Sequence, residues 1–350
     1  MSGIRDILET SVEGVLGRGV TPALLRDAEQ GQWPAELWSA VEDAGLTHAA
    51  IHEESGGAGA TWSEIFALVR SAGRHGPPIP LVETVVGGWL LSVAGLPSVL
   101  GPVAIAAAPD IEWESGGFSA NLSGVAWGAA CEHLVVLAGR VSPRVVLFAR
   151  SDFTAVGAAN IAGEPRDDLR LSDAQPTATG DWPHDPDALL MTGAMVRSAQ
   201  IAGAIERVLE QATQYANERV QFGRPIGQFQ AVQQTLAQLA TQALLASAAA
   251  EHAFNTADAR LSPFAVATAK ICTSELAGLA ASAAHAVFGA IGITHEHSLH
   301  FTTRRLWSWR AEFGGQSFWS ERLGRQACAG GSTGLWPAVT HGDFSTTVTA

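Results

Sequence analysis

Charge is scarce in this sequence, and lysine is nearly absent. Only 16 % of the 350 residues are charged, and 34 acidic against 21 basic residues leave a formal net charge of −13. Because nucleic-acid phosphates need clustered lysine and arginine, this balance argues against a nucleic-acid partner. Arginine carries the positive charge, and it is the better residue for stacking and for bidentate contacts with phosphate.

Paired cysteines and long hydrophobic runs are also missing. Cys131, Cys272 and Cys328 are far apart and form no CxxC pair, which predicts neither a disulfide framework nor a zinc site. The stretch Met1–Glu13 carries acidic residues and no long apolar run, so we expect no signal peptide. The most apolar segment, Val85–Leu96, is too short and too rich in glycine to span a membrane. We therefore expect a cytoplasmic protein without a membrane partner.

What is abundant is apolar residues, at 47 % of the chain, which is typical of a well-buried globular protein with extensive subunit contacts. The pattern changes from helical to strand-like and back to helical. We predict an α+β fold with an N-terminal helical domain (1–100), a small, reduced middle β-domain (101–182), a C-terminal four-helix bundle (183–330) and an irregular tail (331–350).

Capping and turn residues place the elements. Thr21 caps a helix through Gln30, Pro34 opens Ala35–Ala44, and Thr61 with Glu64 forms a capping box. Strands are predicted at 103–107, 118–122, 133–138 and 145–149, with a long Pro- and Asp-rich loop at Ala162–Thr177. The bundle helices are predicted at Pro186–Asn217, Gln228–Thr256, Ser262–Phe288 and Gln316–Ala329.

The stretch Tyr215–Gln233, YANERVQFGRPIGQFQAVQ, is a helix end, a loop with Gly223, Pro225 and Gly227, and a second helix start. By itself it is compatible with an ordinary helical hairpin, but the whole string resembles the signature of the acyl-CoA dehydrogenase family. The segment 33–76, with its WPAELW helix and HEESGGAGA loop, resembles the N-terminal helical domain of that family. LSGVAWGAACEHLVVLA (122–138) is similar to its middle β-domain, and the resemblance covers about residues 20–330.

The resemblance implies FAD-dependent α,β-desaturation of an acyl-CoA thioester. In the family a carboxylate takes the α-proton while a hydride leaves the β-carbon for the flavin, and an electron-transferring flavoprotein is the usual acceptor. It also implies cofactor-binding residues: Arg219 at the FAD pyrophosphate of a neighbouring subunit, Gln221, Phe222, Ile226 and Phe229 on the adenine side, and Gly289 and Gly292 in a pyrophosphate-approaching turn. The alternative for Arg219 is a cation at a helix C-terminus.

Both positions where the family keeps its catalytic glutamate are occupied by glycine. Gly314 stands in the aromatic-Glu-Gly-Thr motif before the last helix, and Gly193 falls at the position in the first bundle helix. The catalytic residue is therefore unknown. Glu312 is the nearest carboxylate, and we expect it to be solvated. The middle domain also lacks the flavin-cradling Thr-Glu-Pro and Trp-x-Thr segments of the family, with AAAPDIEWESGG in the first place.

Three further groups have alternative interpretations. We expect His295, His297 and His300 at the surface or in packing rather than on a metal. Aromatic residues on the last helices are expected at a subunit interface, and nearby arginines meet either CoA phosphates or the protein's own carboxylates. The tryptophans are Trp307, Trp309 and Trp319, and the arginines are Arg304, Arg305 and Arg310.

Three hypotheses for the whole chain follow from these residues. The first is a base-lacking subunit that completes the FAD site of a homologous catalytic subunit. It resembles the degenerate subunit of the α2β2 heterotetramers of actinobacterial steroid degradation. The second is a self-sufficient flavoenzyme with a non-standard base, of which Glu312 is the candidate. The third is a structural or regulatory subunit without flavin.

Overall fold

The computed structural model describes residues 3–329 together with 336, 337, 339, 340 and 342. The chain divides into two compact units, Met1–Leu190 and Met191–Ala350, which are taken one at a time below. The domain boundaries predicted from the sequence remain predictions, and the tail expected at 331–350 lies almost wholly outside the described residues.

The first unit begins with helices whose ends follow the predicted caps. Thr21 Oγ1 accepts a hydrogen bond from the Leu24 N–H at 3.2 Å, and the Thr61 N–H donates to Glu64 Oε2 at 2.9 Å. Each bond satisfies an N–H group that a helix terminus leaves unpaired. The helices are α1 (Ile4–Gly19), α2 (Pro22–Glu29), α3 (Ala35–Asp43), α4 (Trp62–His75) and α5 (Leu81–Val93).

The strands of the first unit form two facing sheets. They are β1 (Val103–Ala108), β2 (Phe118–Ala126), β3 (His133–Ala138), β4 (Arg144–Ala149), β5 (Phe153–Val156), β6 (Arg166–Ala174) and β7 (Ala178–Asp181). One sheet has the order β1-β3-β4-β7 with β1 parallel to β3, and the other has the antiparallel order β2-β6-β5. Alternate residues of both sheets, such as Leu134, Val136, Leu169 and Leu171, meet in one apolar core.

The prediction of a long loop at Ala162–Thr177 was wrong, because strand β6 occupies the middle of this segment. Asp167, Leu169 and Leu171 alternate with exposed residues as a half-buried strand requires. The signal was obscured because the first buried position is an aspartate. Its carboxylate is satisfied by the Ala129 N–H at 2.8 Å, so a polar residue is tolerated on the buried face.

The second unit is helical, and its long helices match the predicted spans within two residues at each end. They are α6 (Ala188–Glu218), which crosses the unit boundary, α7 (Gln230–Ala257), α8 (Pro263–Phe288), α9 (Leu299–Trp309) and α10 (Gln316–Ala329). Helix α9 was not predicted, since its buried face includes His300, Thr303 and Arg305 as well as leucines. Polar residues on the inner face weaken the amphipathic pattern on which such predictions depend.

Two of the tryptophans expected at a subunit interface belong to the interior of this unit instead. Trp309 is 2 % exposed and Trp319 is 0 % exposed, whereas Trp307 is 43 % exposed. The Trp319 indole donates a hydrogen bond to the Phe313 carbonyl at 3.0 Å, which satisfies its polar atom without a partner chain.

Helix α6 and the segment Pro263–Ile293 are long and apolar enough to cross a bilayer by length and composition alone. The apolar window of α6 is 94 % buried inside the chain, which is typical of a core helix.

Candidate functional site

The family-like stretch after α6 is a short β-hairpin. Val220–Gln221 pairs with Arg224–Pro225, and Phe222 and Gly223 form the turn with φ of 52° and 82°. Two successive left-handed residues are the conformation of the tightest hairpin turns, and glycine adopts it freely. Phenylalanine does not, so holding Phe222 there costs on the order of 1 kcal/mol. Phe222 is therefore a strained residue at the tip of the hairpin.

Phe222 is 91 % exposed, which is unusual for so large an apolar side chain. Its ring lies edge-on to Phe229 at a centroid distance of 6.1 Å, and the Arg224 guanidinium lies 4.4 Å from the Phe229 centroid. Phe229 and Ile226 are half-buried, and Gln221 is exposed. The predicted adenine-side residues thus share one projecting surface.

Arg219 is exposed at the start of this hairpin. Its backbone N–H donates to Tyr215 O, and its carbonyl accepts from the Ile226 N–H, both at 2.8 Å, so its backbone position is fixed at both ends. Within the part of the chain that the structure describes, its guanidinium has no carboxylate partner. In a protein with a net charge of −13, an unpaired arginine on an ordered backbone is available for an anionic group.

The second predicted phosphate-approaching element follows α8. Gly289 has a φ of 63° and begins a 3₁₀ turn, Gly289–Ile293. A Cβ on Gly292 would lie 2.8 Å from the Phe288 Cβ, so glycine is required there by packing. Gly289 is exposed and has open space around it, whereas Gly292 is buried and supports the turn.

The two positions where a catalytic glutamate was sought are both closed in by aromatic side chains. A Cβ on Gly193 would lie 2.2 Å from Cδ1 of Phe313 and 2.4 Å from its Cε1. Gly314 has a φ of 83°, and a Cβ there would lie 2.5 Å from Phe318 Cδ1. No side chain enters either place without moving aromatic rings, because real contacts of this length do not occur. The Phe313 ring fills the space in front of Gly193.

Glu312 is not solvated as expected. Its Oε2 lies 2.8 Å from Nε of Arg197, whose side chain is 3 % exposed. Gln200 Oε1 accepts a further bond from Arg197, and the guanidinium lies 5.8 Å from the ring centroids of both Trp309 and Phe313. Arg197 is one helical turn beyond Gly193, so this ion pair joins the same two segments. The sequence distance of 115 residues hid the partnership.

Lys270, the one lysine of the chain, was missed by the sequence analysis. Its side chain is fully buried, and Nζ donates to the Trp309 carbonyl at 2.7 Å. Burial, with Arg197 and Arg310 nearby and Glu312 opposing them, lowers its pKa to about 7. One turn further on, the Ser274 hydroxyl donates to the Arg310 carbonyl at 3.1 Å. Both bonds satisfy carbonyls at the C-terminus of α9 and hold the turn that carries Phe313.

In the first unit, the segment between β1 and β2 is bound to its own domain. The Glu112 carboxylate accepts the N–H groups of Arg140 at 2.7 Å and Val141 at 2.9 Å, and these bonds hold the pKa of Glu112 below its ordinary value. Trp113 packs 6.0 Å from the Phe118 ring, with the Arg144 guanidinium on it at 5.6 Å. This is the segment that the sequence resemblance predicts in place of the flavin-cradling Thr-Glu-Pro motif of the family.

The remaining candidates are the arginines and histidines near α9, and several of them are packed against neighbouring residues. Arg305 is 6 % exposed and donates to the Phe301 carbonyl at 3.1 Å, and the Arg310 guanidinium lies 5.0 Å from the Trp307 ring centroid. Arg304 is half-buried. His300 is 8 % exposed and its ring lies 4.1 Å from that of Phe301 in a tilted arrangement, while His295 is exposed. Among the described residues no cluster of three or more His, Cys, Asp or Glu is suited to a metal ion.

Comparison with known structures identifies the class of fold. The chain superposes on the Tcur3481-Tcur3483 steroid ACAD (G363A variant) with a TM-score of 0.82 at 22 % identity, covering 93 % of this chain and 98 % of that one. The ChsE4-ChsE5 complex from Mycobacterium tuberculosis gives a TM-score of 0.77 at 23 % identity, covering 94 % and 98 %. At this identity the similarity shows the fold, which is that of acyl-CoA dehydrogenases.

Sequence comparison then gives the family. The model of the acyl-CoA dehydrogenase N-terminal domain matches residues 5–98, and that of the C-terminal domain matches residues 187–315. Acyl-CoA dehydrogenase IpdE2 of Mycobacterium tuberculosis is 30 % identical over 318 residues, covering 86 % of this chain and 90 % of the relative. The chain belongs to the acyl-CoA dehydrogenase family.

Proposed function

We propose that this chain is a subunit of an FAD-dependent acyl-CoA dehydrogenase and completes the flavin site of a homologous catalytic subunit in an α2β2 heterotetramer. The observation that carries the proposal is a contrast within the second unit. The hairpin with Arg219 and Phe222 is ordered and exposed, while Gly193 and Gly314 are closed in by the Phe313 and Phe318 rings. The hairpin residues are therefore available to another subunit's flavin site. The two positions at which this chain would carry a catalytic base are filled by aromatic rings.

The residues present fit one end of the cofactor. Arg219 is exposed and has no carboxylate partner among the described residues, and the glycine turn has open space at Gly289. Both features suit a diphosphate, since guanidinium groups and backbone N–H groups are its usual ligands. Phe222 offers a face on which an adenine ring stacks. The chemistry that bound FAD would supply is acceptance of a hydride from the acyl β-carbon. This chain's part is to bind and orient, and a carboxylate of the partner takes the α-proton.

An uncharged surface supports association with a similar subunit. No charged residue occurs from Pro225 to Ala250, although much of α7 is exposed. Leu244 is 70 % exposed, Leu245 is 51 % exposed, and Leu279 on α8 is 50 % exposed. Depletion of charge with exposed leucines is typical of the core of a subunit interface rather than of free surface.

The alternative of a self-sufficient enzyme is disfavoured by the Glu312 ion pair. A general base must be free to accept a proton, and this carboxylate is held by a buried guanidinium at 2.8 Å. We include in the proposal an acyl-CoA substrate of the steroid-derived class, by similarity to the steroid ACAD above. The proposal also includes an electron-transferring flavoprotein as the electron acceptor and a cytoplasmic location.

The test is to purify the chain alone, and together with a homologous acyl-CoA dehydrogenase that retains its glutamate. We expect the complex to be yellow and active, and the chain alone to be neither. Arg219→Ala should lower flavin content and activity of the complex, whereas Arg170→Ala, an exposed arginine on β6, should not. An active yellow homomer would refute partner dependence. Unchanged flavin content in Arg219→Ala would favour the third hypothesis, a subunit without a flavin role.

A further inference from the structure

Two residues of α6, and the residue that follows its last turn, lie along one side of the helix near its C-terminus. Gln211, Tyr215 and Arg219 are spaced by four, which places them one above another on successive turns. The Gln211 side-chain amide donates to Ser298 Oγ at 3.1 Å, just before α9. This side of α6 is therefore attached to the segment around the Gly289–Ile293 turn, and Arg219 extends the same line by one turn.

Tyr215, the one tyrosine of the chain, makes the central contact. Its ring is stacked on Phe288 with a centroid distance of 4.4 Å and an interplanar angle of 22°. His297 lies edge-on to Tyr215 at 6.4 Å and packs on Phe288 at 4.5 Å, so three rings form one cluster. Phe288 immediately precedes Gly289. Tyr215 accepts the Arg219 N–H through its own carbonyl, and through its ring it contacts Phe288, the residue that precedes the glycine turn.

From this geometry we propose that Tyr215 is a positioning residue. Its stacked ring sets Arg219 and the Gly289–Gly292 turn at one separation, so that both meet the diphosphate of the same dinucleotide. The inference rests on the proposed function, because it needs Arg219 to bind that group. Bidentate guanidinium contacts depend on fixed geometry, so a loosened helix end weakens them even when the arginine is intact.

The contribution expected from the ring follows from the energy of an aromatic pair. Stacked rings contribute about 0.5–1.5 kcal/mol beyond their buried area, so removing the stack should weaken FAD binding by up to about tenfold. The hydroxyl has no hydrogen-bond partner among the described residues, which assigns the effect to the ring. Tyr215→Phe should therefore behave as wild type, and Tyr215→Leu should not.

The experiment measures the FAD dissociation constant of the complex with its catalytic partner, by flavin fluorescence during reconstitution. Tyr215→Leu should bind FAD about two- to tenfold more weakly, and Tyr215→Phe should be unchanged. In an Arg219→Ala background, Tyr215→Leu should cause no further loss, because it acts through that arginine. Phe288→Leu, which breaks the stack from the other side, repeats the test where Tyr215→Leu does not fold. Thermal unfolding without FAD monitors folding.

The outcomes separate the two levels of the proposal. If Arg219→Ala weakens binding and Tyr215→Leu does not, the positioning role is wrong and the proposed function stands. If Arg219→Ala binds FAD as wild type does, the proposed function fails. Additive losses in the double variant, or an equal loss in Tyr215→Phe, would overturn positioning by the ring.

Discussion

Gly193 is a helix glycine that we expect to resist replacement by alanine. In an open helix, alanine for glycine stabilises the fold by about 0.5–1 kcal/mol. Here the new Cβ would lie 2.2 Å from the Phe313 ring, and overpacking of this kind costs about 1–3 kcal/mol. The two effects together predict that Gly193→Ala lowers the free energy of unfolding by about 1 kcal/mol, and by at most about 2.5 kcal/mol.

The sign should reverse when the ring is removed. In a Phe313→Ala background the collision is gone, so Gly193→Ala should stabilise by about 0.5–1 kcal/mol. Gly324 on α10 of the same unit is the matched control, because a Cβ there meets nothing within 4 Å and Gly324→Ala should stabilise in either background. The four free energies of the cycle are measured by urea unfolding and give the coupling between the two positions directly.

The cycle also bears on why position 193 carries glycine and not the glutamate sought there. If Gly193→Ala stabilised the protein equally with and without Phe313, the ring would not fill this place and the reasoning would be refuted. If the sign reverses, then introducing a glutamate at Gly193 cannot create a working base unless Phe313 is also replaced by a smaller residue. The space next to Gly193 is then filled by the Phe313 ring and is not an empty pocket.

Three further changes test other parts of the structure. Lys270 has a folded pKa of about 7 against about 10.4 unfolded, so between these pH values the unfolded chain binds more protons. Stability should rise with pH there, by at most about 1.4 kcal/mol per unit, and Lys270→Met should flatten that rise in urea unfolding; an unchanged slope would contradict the shift. Glu312→Gln should destabilise by about 1–3 kcal/mol because it leaves Arg197 buried without its anion, and Arg197→Leu/Glu312→Leu should recover part of the loss; equal stability of Glu312→Gln and wild type would show that the pair contributes nothing. Phe222→Gly relieves the positive φ and should change stability by less than about 1 kcal/mol while lowering flavin content of the complex, which absorbance spectra would check.

Local signals were enough for most of the elements. The caps at Thr21 and Thr61 and the long apolar stripes of α6, α7 and α8 depend on neighbours a few residues apart, so the sequence carries them directly. Strand β6 and helix α9 were missed because Asp167, His300 and Arg305 are polar residues on buried faces. No local sequence pattern predicts that these polar residues are buried, because burial depends on the hydrogen bonds they make in the folded chain.

By itself the sequence determined the order of helices and strands, the resemblance of Tyr215–Gln233 to a flavin-family signature, and the absence of a carboxylate at 193 and 314. Tertiary structure alone decided that aromatic rings close in both glycines, Phe313 at Gly193 and Phe318 at Gly314. It also decided that Glu312 pairs with Arg197 and that Tyr215 stacks on Phe288 before the glycine turn. The reason is physical. Helix periodicity and capping act over a few residues, whereas steric exclusion and ion pairing join atoms that only the folded chain brings within contact distance.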